Sequence, residues 1–482
     1  MFVFQENELG RILDIIITNM TPQRSPSQKP VPANMIFLSA RYAHYYANKD
    51  LLEKLLKTAM DKIIMVVEAY QWDMTILAFW ISNATLLLHY LKKDAGLSEA
   101  TLEFQQSITE LISEIFILII RDAERRLDKV LDSAMLDHET ITFEDVDFKD
   151  EWKLFKRKNT VKEEPIEKRF RPPSPKARAK PSPRNITSLL SSTLFVLDLY
   201  DIHSVIVSQI LSQLIYWLGA ELFNRIMGNR RYLARTKAMQ IRMNITVLEE
   251  WARSNNRQAG HYENGSMTAT GEQTDEAARK HLAPVIQLLQ WLQCFSSLGA
   301  DDLEALVGTL QQLTRLSPLQ LIRAVKDYRP EVAEKTLPKS AMKYLINLER
   351  EATLRKQRKR QSMSRPLPVT PKSAPTTPIK PTNDGVPESP ASTQTPAAED
   401  LEEDEDDFPD NIFMDPSIML PFSLPTSTDM LVSFGAGFGG LNKERERKYI
   451  PTVPPEFLAK LDVSGGRAMS TYEDRDWENE DV

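Results

Sequence analysis

Six histidines (His44, His89, His138, His203, His261 and His281) and one cysteine, Cys294, are the side chains best suited to metal or nucleophile chemistry. A helical zinc site needs two histidines one turn apart, or closely paired cysteines, so that one face can hold the ion. No H-x-x-x-H occurs and Cys294 stands alone, so no metal site is expected. Gly435-Ala436-Gly437-Phe438-Gly439-Gly440 satisfies G-x-G-x-x-G. A dinucleotide site also needs a following helix, a second strand and a later acidic residue. Pro451, Pro454 and Pro455 leave no room for that unit, so the glycines read as a turn. Carboxylates cluster at Glu144–Glu151 and at Glu399–Asp407. Acid–base catalysis needs such groups fixed in a pocket, and these runs read as solvated. No nucleophile elbow, P-loop or kinase signature is present. Neither catalysis nor a cofactor is expected.

Modification chemistry has more support. Ser174 and Ser182 precede prolines in the basic run Lys168–Arg184, and Thr370, Thr377, Ser389 and Thr395 precede prolines further on. Clustered Ser/Thr-Pro sites suit proline-directed kinases. Phosphate would cancel positive charge in the first run and extend the second by repulsion. The basic run reads first as a solvated linker, with weak contact to anionic membrane as the alternative.

The 482 residues suggest two to four structural units. Net charge is −7, which argues against a chain that binds nucleic acid along its length. A single cysteine allows no internal disulfide, and a reducing, cytoplasmic setting follows. The N-terminus shows no secretory pattern. The apolar runs, at Ile115–Ile120 and near Leu194–Leu218, read as too short or too interrupted to span a bilayer.

The elements that position these residues read as helices. Leu52, Leu55, Leu56, Ala59, Ile63, Val66 and Val67 keep three-and-four spacing, as do Ile108, Leu111, Ile112, Ile115, Leu118 and Ile119. The stretch from Trp72 to Lys93 is apolar nearly all round and belongs at a bundle centre. Thr21–Pro32 is a loop by its prolines. The expected class is all-α, with two helical bundles joined into an elongated rod. The first bundle covers 1–144 and the second 187–351. A disordered charged linker fills 145–186, and a second, Ser/Thr/Pro-rich and acidic, fills 352–409. Residues 410–465 form an extended C-terminal arm, with one short strand at most, packed on the helices; 466–482 is a polar tail. Ser254–Glu276 reads as a long surface loop. Asp301 with Glu304, and Ser317-Pro318-Leu319-Gln320, are helix-start signals.

Several motifs stand in an order that resembles one family. Phe79-Trp80-Ile81-Ser82-Asn83 and Leu88-His89-Tyr90-Leu91 come first, then Leu222-Phe223-Asn224. Met239-Gln240-Ile241-Arg242-Met243-Asn244-Ile245, Leu248-Glu249-Glu250-Trp251, and Leu282 to Gln290 around Gln287 follow. Leu316–Ile322 with Asp327-Tyr328 completes the series. Together they resemble the dilute domain, the globular cargo-binding tail of class V myosins. They are most similar to fungal proteins that join ankyrin repeats to a dilute domain, although no ankyrin pattern, motor or heptad coiled coil occurs here. The resemblance implies two helical bundles with a folded-back arm, and binding of organelle adaptors or small GTPases in vesicle transport. A cell-cortex or junction-type scaffold is the alternative. Trp80, Asn83, Asn224, Gln240, Arg242, Asn244, Glu250, Trp251 and Gln287 carry the signature. By spacing, Ile241, Ile245, Leu248 and Trp251 are core, and Gln240, Arg242 and Asn244 tie their helix to a neighbouring loop.

Overall fold

The structure is a computed structural model. It describes residues 2–139, 181–257, 261–263, 266–268, 272–299, 303–332, 334–363, 411–435 and 443–462. The first set of helices runs α1 (Leu9–Leu13), α2 (Val31–Tyr46), α3 (Lys49–Ala69), α4 (Met74–Lys93), α5 (Ala95–Ala100) and α6 (Leu102–Leu131). The second runs α7 (Pro183–Leu199), α8 (Ser204–Gly228), α9 (Arg235–Ser254), α10 (Thr274–His281), α11 (Ala283–Cys294), α12 (Leu303–Gln312), α13 (Pro318–Lys326) and α14 (Lys339–Met363). Three short helices close the described chain: α15 (Ser427–Phe434), α16 (Lys443–Lys448) and α17 (Pro455–Asp462).

The fold is all-α apart from one small antiparallel hairpin, His261–Glu263 with Ser266–Thr268. That hairpin lies within the stretch read as a surface loop. The loop base is tied: Thr274, fully buried, accepts a hydrogen bond from the Arg257 amide through its hydroxyl and donates its own amide to the Arg257 carbonyl.

Helix starts follow the sequence where polar caps stand ready. Asn48 and Asp73 accept hydrogen bonds from the first amides of α3 and α4. Ser317 and Gln320 form a reciprocal capping box with Pro318 at the first helical position of α13. Asp301 lies outside the described residues.

α6 is the shared spine. It packs on α4 in the first bundle and on α7 and α8 of the second. One continuous hydrophobic core results, from Phe4 to Phe457. α4 and α8 are long and apolar enough to cross a bilayer, which the apolar runs of the sequence did not suggest, but most of each lies buried among other helices. Their all-round hydrophobicity is that of bundle centres. The crossing of α8 and α10 is close. A Cβ on Gly219 would lie 2.3 Å from the His281 carbonyl oxygen, so only glycine fits.

Two expectations need correction. The second linker does not begin at 352, because α14 continues past Glu351 to Met363. Its charged residues favour helix, and no proline interrupts before Pro366. The arm contains no strand among its described residues. From Ile412 to Pro425 it is irregular, with a turn at Pro416–Ser417 and an extended run from Ile418 to Pro425, and then helical in three short pieces. Thr426 and Asp429 form a capping box that starts α15 despite the nearby prolines. The linker 145–180, the second linker from 364, the glycines from Ala436 to Gly440 and the polar tail lie outside the described residues.

Candidate functional site

Most signature side chains hold the framework. Trp80 is 2 % exposed and meets Phe79 edge-on at 5.5 Å. Asn83 accepts from the Ala33 amide and donates to the Lys29 and Phe79 carbonyls, fixing the loop before α2. Asn244 donates to the Met135 and His138 carbonyls at 2.9 and 3.0 Å. Met135 lies in the π-turn Asp132–Leu136 that follows α6 and His138 just beyond it, so Asn244 caps the end of the spine. Gln240, fully buried, reaches Asn244 at 3.5 Å. Arg242 bridges Thr246 and Glu249 on its own helix. Trp251 packs its ring in the core and donates to the Ser191 hydroxyl at 2.8 Å. Gln287 accepts from the Arg315 amide, and Glu250 is exposed. Ser182 sits at the start of α7, its amide donating to Asn185 Oδ1 at 2.8 Å. Ser174, Thr370, Thr377, Ser389 and Thr395 lie outside the described residues.

Asn224 has a different task. It donates to the Met414 carbonyl and accepts from the Met414 amide, both at 2.8 Å. Gln213 does the same for the Ile418 carbonyl and Leu420 amide, and Gln209 for the carbonyl and amide of Ser423. The Tyr216 hydroxyl donates to the Asp415 carbonyl, and Gln320 of α13 to the Ile412 carbonyl. A row of side chains on one helix therefore pairs with an extended chain as a neighbouring strand would. Sequence reasoning marked only Asn224. Carboxamides near four-residue spacing on an otherwise apolar helix were the available signal for the rest.

The chain then crosses to the first bundle. Phe422 stacks on Phe116 of α6 at 4.1 Å. Phe434 lies 5.2 Å from the His89 ring, and burial pushes His89 down to about 4. Tyr90 donates to the Tyr449 carbonyl, and Asn34 to the Thr452 carbonyl. Asp201, held at a positive φ, pairs with Lys29 and Lys448.

One arrangement resembles a catalytic relay. Ser212, Glu272 and His281 meet between α8 and α10, and the His281 hydrogen bond, with help from Ser212, holds Glu272 at about 2. A relay needs nucleophile and acid on opposite ring nitrogens. Here the Ser212 hydroxyl and the Glu272 carboxylate both face His281 Nε2, at 3.3 Å for the hydroxyl and 3.5 Å for the carboxylate. The set ties two helices together. No metal-ligating cluster exists among the described residues.

A concave surface with room for a partner lies elsewhere. A groove of about 980 Å³ runs between α3 and the start of α6. Leu52, Leu56, Met60 and Ile64, one turn apart on α3, face Phe104 and Leu111 of α6 across it. Its rim carries six carboxylates, Glu53, Asp61, Glu99, Glu103, Glu110 and Glu114, against two lysines, Lys49 and Lys57. The α3 stripe of Leu52, Leu55, Leu56, Ala59, Ile63, Val66 and Val67 is buried as its spacing implies, and the groove opens along its edge, at positions such as Ile64 that the spacing did not single out.

Residues 209–332 match the DIL domain family model. A dilute domain-containing protein of Schizosaccharomyces pombe is 32 % identical over 352 residues, which is 71 % of this chain and 58 % of that protein. A dilute domain-containing protein of Saccharomyces cerevisiae is 24 % identical over 478 residues, 73 % of this chain and 53 % of that one. Unconventional myosin-Va of Homo sapiens is 25 % identical over 317 residues, 62 % of this chain and 15 % of the myosin. The chain thus spans little more than half the length of the two dilute domain-containing relatives. Among solved structures, a yeast myosin 5 cargo binding domain aligns with TM-score 0.51 at 16 % identity, covering 77 % of this chain and 89 % of that one. Myo2-GTD in complex with Smy1 aligns with TM-score 0.51 at 15 % identity, covering 77 % and 88 %. At these identities the likeness is one of fold.

Proposed function

The chain is a dilute-domain protein, with its DIL domain at residues 209–332, and from that premise we propose that it is a non-catalytic docking module for adaptors or cargo in vesicle or organelle transport. The observation that carries this reading is the acidic-rimmed apolar groove between α3 and α6. Its shape and charge suit an amphipathic segment, apolar on one side and flanked by lysine or arginine. A groove of this size holds several side chains of a peptide, and its long-range field steers basic partners toward it. The placing of Ser212, Glu272 and His281 weighs against hydrolytic chemistry. The relatives support the transport setting, since one solved neighbour is by its title a cargo binding domain. We place the module in the cytoplasm, at vesicle or cortex surfaces, with organelle adaptors or small GTPases as its partner classes.

Affinity capture followed by mass spectrometry tests the reading when joined to site-specific crosslinking. A photoreactive side chain in place of Phe104, in the groove, should crosslink to the captured partners. The same group in place of Phe195, which is 66 % exposed and away from the groove, should not. Crosslinks from position 195 alone would sink the assignment of the site.

A further inference from the structure

The row of carboxamides on α8 lies apart from the groove between α3 and α6, which none of its residues line. Gln209, Gln213 and Asn224 each offer one donor and one acceptor to a chain lying antiparallel to the helix. All six bonds go to backbone. Gln213 is 1 % exposed beneath the arm, and both ends of its amide are spent on the arm's backbone. The residues now seated there show what the surface accepts. Ile412 and Met414, and after a turn at Pro416–Ser417 also Leu420, Phe422 and Leu424, turn partly inward at alternate positions, the period of a strand. Pro416, Pro421 and Pro425 fall where no amide is used, since the amides that bond α8 belong to residues 414, 420 and 423. The outward side chains, among them Phe413 and Met419, are exposed and make no specificity.

We propose that this face of α8 is a binding site for extended peptides, recognised through their backbone, and that the chain's own residues 412–424 are its resident occupant. The external ligand is a partner's extended segment with apolar residues at alternate positions and prolines between them. It takes the same track by displacing the arm. The physical basis for exchange is that the arm is shallow. Its hold between Ile412 and Leu424 consists of exposed and part-buried hydrogen bonds and half-buried side chains, with no fully buried side chain of its own among them. Recognition through main-chain groups leaves sequence demands few, as in strand addition to a sheet edge.

The probe is a fluorescent synthetic peptide with the sequence of residues 411–426, added to the full chain. In Met414→Pro/Leu420→Pro, the resident arm loses the amides that bond Asn224 and Gln213 while α8 is untouched. The prolines keep the arm extended. The peptide should bind this variant about tenfold more tightly than wild type, as the loss of two competing hydrogen bonds predicts. A peptide N-methylated at the residues matching 414, 420 and 423 should fail to bind, whereas one with its outward side chains shuffled should bind as well as the original. Circular dichroism and a melting curve establish that the variant keeps its helices. As a second readout on wild type, excess unlabelled peptide should slow hydrogen exchange nowhere on the groove between α3 and α6 and should speed it at the chain's own Met414, Leu420 and Ser423 amides. Equal affinity for variant and wild type, or undiminished binding of the methylated peptide, would overturn the proposal. So would an arm-exchanged dimer, seen by light scattering, that neither peptide dissociates, because a second copy would then be the occupant.

Discussion

The Asn224 carboxamide and the Met414 main chain exchange two hydrogen bonds, each 2.8 Å long, across 190 residues of sequence. A carboxamide is the one side-chain group that offers a donor and an acceptor in the geometry of a peptide unit. Asn224→Asp keeps the size and removes the donor, setting a carboxylate against the Met414 carbonyl. The expected outcome is faster hydrogen exchange across residues 412–424 and a stability loss of about 1 kcal/mol, measured by urea titration. Unchanged exchange in the arm would show that Asn224 does not hold it.

Asn244 acts on the framework. Asn244→Ala would leave the Met135 and His138 carbonyls, at the end of the spine helix, without their partner. A loss of about 1–3 kcal/mol is expected, visible as a lower urea midpoint at constant slope. A change in slope with little change in midpoint would mean that the two bundles had come apart as separate units.

Trp251 separates core from contact surface. Its ring is 8 % exposed and bonded to Ser191. Trp251→Ala should cost about 3–5 kcal/mol. An unchanged melting temperature with lost partner binding would place the residue at an interface instead.

The sequence told most where local rules decide. The α13 start at Ser317, Pro318 and Gln320 is spelled out in four consecutive residues, and the α3 stripe follows helical period. Two features depend on residues far apart and were hidden, and a third was masked by its neighbours. The groove forms where α3 and the start of α6 face each other, a pairing that no periodicity in either helix encodes. The partners of Gln209 and Gln213 lie more than 200 positions away. The arm's helix α15 rests on a capping box at Thr426 and Asp429, set between a run of prolines and a run of glycines that both argue for loop.

Acid should loosen the arm through His89. Burial holds its folded value at about 4, against an ordinary 6.5. As pH falls through 6.5 the unfolded chain takes the proton first, while the native site beneath Phe434 stays neutral until about pH 4. Stability from this residue is therefore complete above 6.5, falls between 6.5 and 4, and is level below, a total on the order of 3 kcal/mol. His89→Phe should flatten the melting temperature over that window. A mutant curve parallel to wild type would assign the acid sensitivity to other groups.

The claim that the groove between α3 and α6 is where partners dock rests on its apolar floor and acidic rim. Glu103 and Glu110 are exposed, two turns apart on α6, and Glu103→Lys/Glu110→Lys neutralises the rim without touching the core. The decisive measurement is the Kd of a captured partner for wild type and for this variant, at two salt concentrations. The account predicts a Kd raised about tenfold or more at low salt, a smaller difference at high salt, and an unchanged melting temperature. Equal Kd values at both salt concentrations would contradict it.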